Sequence, residues 1–370
     1  MLSIVSFTAE WSARVREFNQ RLLAGGLDPS LQFFEEPRAE FSTMPEAPVY
    51  QEFFLAVEEG VVRGAYSLTQ ESWRVAGQSY AVANYRLPLS EGLVNAAYRG
   101  VSLVLARDAL KRQPLLYCLG MGGYDRPLPR TLRAMKWPMF STPFFFHALR
   151  PSRVLRNLTS LRSSPWRRLA FDAAAWSGAG WAALKLTQSW QGHGQPWRPA
   201  GRVAPEFGEE EERLWEEVNK TYQALAVRDA RVLNLRYPRE DACFIRLRVE
   251  RAGRLLGWAV LLATGMREHK HFGDLRVGTI VDCLAMPEDA QAVAGAAAAE
   301  LRRRDVDLIV SNQTHAAWCA AFRRAGFLEG PSNRIFAASV KLGQLLGPLA
   351  ENQGRLHITR GDGVGPIHLL

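Results

Sequence analysis

The sequence predicts an α/β protein in which one mixed-sheet (α+β) unit occurs twice in tandem, joined by a helical and irregular linker. Three observations carry this. Residues 276–339 read as strand, helix, strand, helix, strand. Residues 1–155 give strand, hairpin, strand, helix, strand, loop, helix, strand, and the second half has a matching hairpin and the same closing order. Between the halves, residues 156–205 change to a basic, then Ala/Trp/Gly-rich, then Gly/Pro-rich composition. The expected domains are residues 1–155 and 206–370, the second including a C-terminal tail.

In chain order, Ile4–Phe7 is a short strand, and 11–23 carries Trp11, Val15, Phe18 and Leu22 at helical spacing. Residues 31–48 are proline- and charge-rich and irregular. Residues 53–57, the turn Glu59-Gly60 and residues 61–68 make a β-hairpin. Residues 78–87 give a strand ended at Pro88, 96–110 a loop and helix, and 115–119 a strand. A helix around Leu132 and the aromatic strand 144–149 close the first copy. Residues 169–190 predict the linker helix, and 209–225 the first helix of the second copy. Residues 244–249, the turn Ala252-Gly253 and 255–262 are the matching hairpin. Residues 277–285 form a strand that stops at Met286-Pro287, since proline removes a ladder donor. Glu288-Asp289 and Arg302-Arg303-Arg304 bracket an alanine-rich helix with the charge order its dipole favours. Residues 307–310 are a second strand, followed by a helix closed by Ala325-Gly326-Phe327 and a last strand at 332–339.

Composition excludes several classes. In 370 residues with 47% apolar side chains there is ample core, yet the longest apolar segment, 169–184, is broken by Asp172, Ser177 and two glycines and is too short to span a bilayer. The N-terminus lacks a secretory pattern, so a cytoplasmic protein is expected. Cys118, Cys243, Cys283 and Cys319 form no C-x-x-C pair, which argues against a disulfide framework or zinc site. The net charge of +9 would attract nucleic acid, anionic lipid or a phosphate-rich ligand, or reflect only an arginine-rich solvated surface. Arginines before Trp166, Trp176 and Trp181 allow the 166–190 segment to lie on a membrane surface; docking between the domains is the favoured alternative. His269-Lys-His271 lacks further ligands at metal spacing and reads as a solvated turn.

Ligands of α/β sheets bind beyond the carboxyl ends of parallel strands. Those ends in the second half are Ala285 and Val310, and in the first half the segment Ala97-Tyr-Arg99-Gly100-Val101-Ser102 stands directly before a helix, where small residues admit an anion to backbone N–H groups and the helix dipole. The corresponding place in the second half, 286–295, is acidic and disfavours phosphate. Asp282 and Cys283 lie at the end of the central strand of the second half, and the corresponding strand of the first offers Tyr85, with Glu91 just beyond; Asp282 could instead cap or pair with Arg276, Tyr85 could be core, and Cys283 a small hydrophobe. Asn312, Ser332, Asn333, Arg360 and Asp362 cluster at strand and loop ends and suggest a polar substrate pocket, or loop capping.

The order of a strand, Asn312, a helix bearing Trp318 and Phe322, and Gly326-Phe327 before the last strands resembles the second half of the Gcn5-related N-acetyltransferase (GNAT) fold. Arg99-Gly100 and Ser102 resemble that family's Q/R-x-x-G-x-G/A pyrophosphate loop, with Ala97 in place of the first Gln/Arg. The whole looks like a tandem GNAT protein over about 1–155 and 206–340, with distant similarity to the Fem-type aminoacyltransferases. The resemblance implies acyl transfer from acetyl-CoA, or another acyl-CoA, to an amine of a small polar or cell-envelope acceptor, with no metal. On it, Arg99, Gly100, Val101 and Ser102 hold the coenzyme, Asp282 or Glu91 is the base, and Tyr85 or Cys283 the acid. A base is useful because lowering a lysine-like pKa from roughly 10.4 to about 7 amounts to ~4.6 kcal/mol. The alternatives are a Fem-like transferase whose basic surface holds aminoacyl-tRNA, and a non-catalytic double domain that binds an assembly partner through the Trp-rich linker.

Overall fold

A computed structural model describes residues 2–37, 40–157, 201–269 and 271–363. The predicted linker helix, and with it both placements offered for the 166–190 segment, lies outside these residues. No helix among the described residues is long and apolar enough to cross a membrane. The chain divides into two compact units, the first comprising Met1–Ser141, Ala224–Val227 and Asn333–Asn352, the second Thr142–Gln223, Arg228–Ser332 and Gln353–Leu370.

In the first unit the sheet order is Ser3–Ser6, Tyr50–Glu58, Val61–Val75, Gln78–Ser90, Leu116–Gly120, Ile335–Ala338 and Met139–Ser141. Ala224–Ala226 adds to the far end of Val61–Val75. In the second unit the order is Leu328–Gly330, Phe144–Ala148, Leu308–Asn312, Arg276–Ala285, Arg254–Gly265, Ile245–Arg251 and Gly201–Ala204. Each sheet has one parallel pair of neighbours at its centre.

The two hairpins repeat one design. Their turns, Glu59-Gly60 and Ala252-Gly253, hold both central residues at positive φ (50° and 79°, 50° and 78°), which matches the twist of the strands they join. Each hairpin then carries a bulge on its second strand, at Arg63 and at Leu256, opposite the steps Ala56/Val57 and Val249/Glu250. Three residues past the start of that strand a glycine lets a helix approach: a Cβ on Gly64 would meet Val101 Cγ1 at 2.8 Å, and one on Gly257 would meet Val293 Cγ2 at 2.7 Å.

The closing strands differ from expectation. The sequence assigns 144–149 to the first copy, but Phe144–Ala148 pairs with Leu308–Asn312 and Leu328–Gly330 in the second sheet. Conversely, Ile335–Ala338 pairs with Leu116–Gly120 and Met139–Ser141 in the first. Local propensity cannot distinguish the partners of two apolar runs; side-chain packing does. Phe145 stacks on Phe322 with ring centroids 5.6 Å apart, while Phe336 lies 5.9 Å from Tyr117 and 5.3 Å from Phe140.

Other boundaries shift for local reasons. Helix Glu209–Val218 stops at Asn219, whose Nδ2 donates back to the Trp215 carbonyl at 2.7 Å, so the predicted helix 209–225 gives way to the strand Ala224–Ala226. Gly201–Ala204, read as linker, is an edge strand on Ile245–Arg251, where a Cβ on Gly201 would meet Leu247 at 2.6 Å.

In the first unit, helices Val101–Arg112 and Pro127–Ala134 cover one face of the sheet through Val101, Leu105, Ala109 and Leu132, packed on Tyr66, Leu68, Ala83, Tyr85, Leu116 and Cys118. Helix Ser12–Ala24 takes part in a second cluster, where Val15, Phe18 and Leu22 meet Leu55, Val62 and Leu89.

Candidate functional site

The parallel strands of the first unit, Gln78–Ser90 and Leu116–Gly120, pair only at Ala83 with Leu116 and Asn84 with Tyr117. They then part. Pro88 does not end the strand as the sequence suggests: it follows Leu87, held at φ 47°, and one extra residue bulges out opposite Ala65 and Ser67 before the strand resumes to Ser90. A bulge bends the strand that carries it. At the point of parting the Tyr85 carbonyl accepts from the Cys118 thiol at 3.2 Å. Beyond it, Gly120, Met121, Gly122 and Gly123 all have positive φ, turning the chain sharply at the carboxyl end of the Leu116–Gly120 strand. Tyr124 follows; its hydroxyl accepts from Ser141 Oγ at 3.4 Å.

The segment joining the parted strands contains two short 3-10 turns, Glu91–Leu93 and Ala96–Tyr98, and then helix Val101–Arg112 with Gly100 as its N-cap. Val101 is buried, Ser102 is half-buried and its hydroxyl donates to the Arg99 carbonyl at 3.2 Å, and Arg99 and Gly100 are exposed. The first amides of a helix have no intrahelical acceptor, so this end presents N–H groups and the positive end of the dipole. Gly100 has φ −70°, and a Cβ there would meet nothing within 4 Å.

Tyr85 and Glu91 differ in environment. Tyr85 is buried against Tyr66, with ring centroids 5.4 Å apart, and burial pushes its pKa well above the ordinary tyrosine value, so the hydroxyl keeps its proton. Glu91 is buried, with both oxygens taken by Arg63 Nη1 at 3.1 and 2.9 Å and Arg21 Nη2 at 3.5 Å from Oε2. That geometry suits an ion-pair acceptor rather than a proton shuttle.

The second unit repeats the parting and then fills it. Arg276–Ala285 and Leu308–Asn312 are paired from Val277 with Leu308 to Ile280 with Ser311, and the bulge again follows, at Val281. Here the segment Leu356–Asp362 runs alongside the parted strands. His357 Nε2 donates to the Cys283 carbonyl at 2.8 Å, Thr359 bridges to Gln313, and Thr359 Oγ1 donates to Asp282 at 2.9 Å. Arg228, which sequence reasoning missed, joins this segment to the strand. Its Nε donates to both oxygens of Asp282 at 3.1 Å and its Nη2 to those of Asp362 at 2.8 and 2.7 Å. Tyr237 adds a hydroxyl donor to Asp282 at 3.2 Å.

Burial pushes Asp282 upward from the ordinary carboxylate range, against the pull of Arg228. Burial alone would lower Arg228, but the two carboxylates more than reverse this and raise it. Cys283 is buried, receives Gln313 Nε2 at 3.3 Å, and is pushed far up by burial, so its sulfur stays a thiol. Asp282 pairs with Arg228, therefore, and not with Arg276, whose amide donates to Asp307 at 2.8 Å.

Of the predicted pocket residues, Asn312, Arg360 and Asp362 come together around this network: Arg360 Nη1 donates to Asn312 Oδ1 at 3.3 Å, and Asn312 Nδ2 to the Pro143 carbonyl at 3.1 Å. Ser332 and Asn333 lie in the segment between Leu328–Gly330 and Ile335–Ala338, half-buried and exposed respectively. Arg228 had no signal in the sequence. Tyr124 had one, the glycines before it.

No protein-family profile matches the sequence, and no characterised protein matches it significantly by sequence. Solved structures do match. A probable N-acyltransferase from Enterococcus faecalis aligns at TM-score 0.52 and 9% identity, covering 94% of this chain and 74% of the other. A GCN5-related N-acetyltransferase from Anabaena variabilis gives the same values. Saccharomyces cerevisiae N-myristoyltransferase with bound myristoyl-CoA aligns at TM-score 0.51 and 9% identity, covering 91% and 78%. The chain has the fold of the GCN5-related N-acetyltransferases, with two GNAT-like units.

Proposed function

We propose, from this shared N-acyltransferase fold, that the chain is a cytoplasmic enzyme that moves an acyl group from an acyl-coenzyme A, acetyl-CoA in the simplest case, to the amine of a small polar or cell-envelope acceptor. The first unit holds the coenzyme. The observation that supports this is the early parting of Gln78–Ser90 from Leu116–Gly120, with helix Val101–Arg112 starting in the connection between them. Parted strands leave main-chain groups for the amides of a pantetheine arm. The amides of Gly100, Val101 and Ser102, with the Arg99 side chain, offer the pyrophosphate its donors.

In the reaction the neutral amine nitrogen bonds to the thioester carbon, the carbon–sulfur bond breaks, the nitrogen gives up one proton to solvent water, and the thiolate takes one up. Tyr85 stands at the point of parting and, buried there, keeps its proton, so it can steady the leaving sulfur as a hydrogen-bond donor; Tyr124, in the turn past the end of the neighbouring strand, is the competing donor. Glu91 does not fit the base, because its oxygens are committed to Arg63 and Arg21. In the second unit, Leu356–Asp362 occupies the equivalent gap, so one coenzyme per chain is expected.

Isothermal titration with acetyl-CoA tests this reading. Wild type should bind one equivalent. Gly100→Glu should fold, since its side chain points into open space, and should lose at least tenfold in affinity as the new charge meets the pyrophosphate. Wild type that fails to bind, or a Gly100→Glu protein that binds unchanged, overturns it.

A further inference from the structure

We propose that Glu91, Arg63 and Tyr98 form a clamp that fixes the 91–100 segment and so sets the position of the pyrophosphate-binding amides; this rests on the coenzyme reading above.

The clamp is built from three directions. Glu91 is buried and grips Arg63 through both of its oxygens, while Arg21 reaches it from helix Ser12–Ala24 and also donates to the Val62 carbonyl. The Arg63 guanidinium, fixed by that grip, lies over the Tyr98 ring with its Cζ 4.2 Å from the centroid. Tyr98 directly precedes Arg99-Gly100. A planar guanidinium held on one side by a carboxylate and stacked on a ring on the other restrains both partners.

The backbone around the clamp leaves little room to move. A Cβ on Gly92 would lie 2.5 Å from the Tyr98 carbonyl oxygen and 2.8 Å from Arg99 Cα, so the two turns of the segment are pressed together. At the other side, a Cβ on Gly25 would meet Val94 at 2.4 Å, so the end of helix Ser12–Ala24 abuts the same segment. Asn95 Oδ1 accepts from the Ala97 amide at 3.1 Å and closes the second turn. A loop ordered before the ligand arrives spares the ligand the entropy of ordering it. Glu91 is thus a positioning residue, acting on the coenzyme through Arg63 and Tyr98.

The experiment compares coenzyme A with pantetheine, which lacks the pyrophosphate, for wild type, Tyr98→Ala, Tyr98→Phe and Glu91→Gln. Tyr98→Ala should weaken coenzyme A binding about tenfold with pantetheine affinity unchanged, and Tyr98→Phe, which keeps the ring, should restore wild-type affinity for coenzyme A. Glu91→Gln should follow Tyr98→Ala; if it does not fold, the two Tyr98 variants decide the matter. Wild-type coenzyme A affinity in Tyr98→Ala, or equal losses for both ligands, overturns the proposal. If Gly100→Glu loses coenzyme A while Tyr98→Ala does not, the clamp alone is wrong. If wild type binds no coenzyme A, the parent reading falls and this falls with it.

Discussion

Arg228 meets Asp282 side-on, one nitrogen serving both carboxylate oxygens at 3.1 Å, in a place where both residues are almost wholly buried. The pair ties the strand Arg276–Ala285 to the C-terminal segment, because the same guanidinium continues to Asp362. Arg228→Met removes the cation and leaves two buried carboxylates without it. The expected cost is about 3–5 kcal/mol in urea denaturation, and adding Asp282→Asn and Asp362→Asn should recover a large part of it. A loss below about 1 kcal/mol would mean that water reaches the site.

Stability should fall on mild acidification. Burial pulls His315 down to about 4, and His357 well below the ordinary histidine value, with Arg228 adding to the burial. An unfolded histidine takes up its proton near pH 6.5. Between about pH 6.5 and 4 the unfolded chain therefore binds protons that the native chain refuses, and stability declines as pH falls through that window. His315→Asn keeps an acceptor for the Ala317 amide, which His315 Nδ1 now receives at 3.3 Å, but cannot titrate. Its urea midpoint should vary less with pH than that of wild type, the remaining slope being due to His357.

Tyr85→Phe should lower kcat for acetyl transfer at least tenfold with the KM for acetyl-CoA nearly unchanged, the pattern of a lost proton donor. Tyr124→Phe serves as the comparison. If only Tyr124→Phe lowers kcat, the donor is Tyr124.

Residues 1–155 expressed alone should not form a native first unit. Without Ile335–Ala338 the strand Leu116–Gly120 loses its antiparallel neighbour, and buried Phe336 is missing from beside Tyr117 and Trp73. Circular dichroism and size-exclusion chromatography should show an aggregating, poorly structured fragment. Fusing residues 333–352 through a flexible linker should improve both.

Much of the fold was legible because its signals are local. Glu59-Gly60 and Ala252-Gly253 announce their hairpins, and Glu288 with Arg302 to Arg304 brackets its helix. The helix start after Gly100 was equally plain. What stayed hidden depends on partners far along the chain. Nothing near Phe144 or Ile335 says which sheet it joins. Arg228 sits in an ordinary Ala-Val-Arg-Asp run, and only the folded chain brings Asp282 and Asp362 to it. Asp282 and Glu91 looked like bases because a carboxylate at a strand end has the same sequence signature whether it faces substrate or an arginine. Leu87-Pro88 looked like a strand end because a bulge carries no pattern of its own.

The exchange of closing strands also sets a schedule for synthesis. Leu116–Gly120 leaves the ribosome well before Ile335–Ala338, and at roughly 5–20 residues per second the intervening stretch of about 200 residues takes on the order of 10–40 s. Through that interval one sheet of the newborn chain has an open edge, a wait that shielding by a chaperone would make safe.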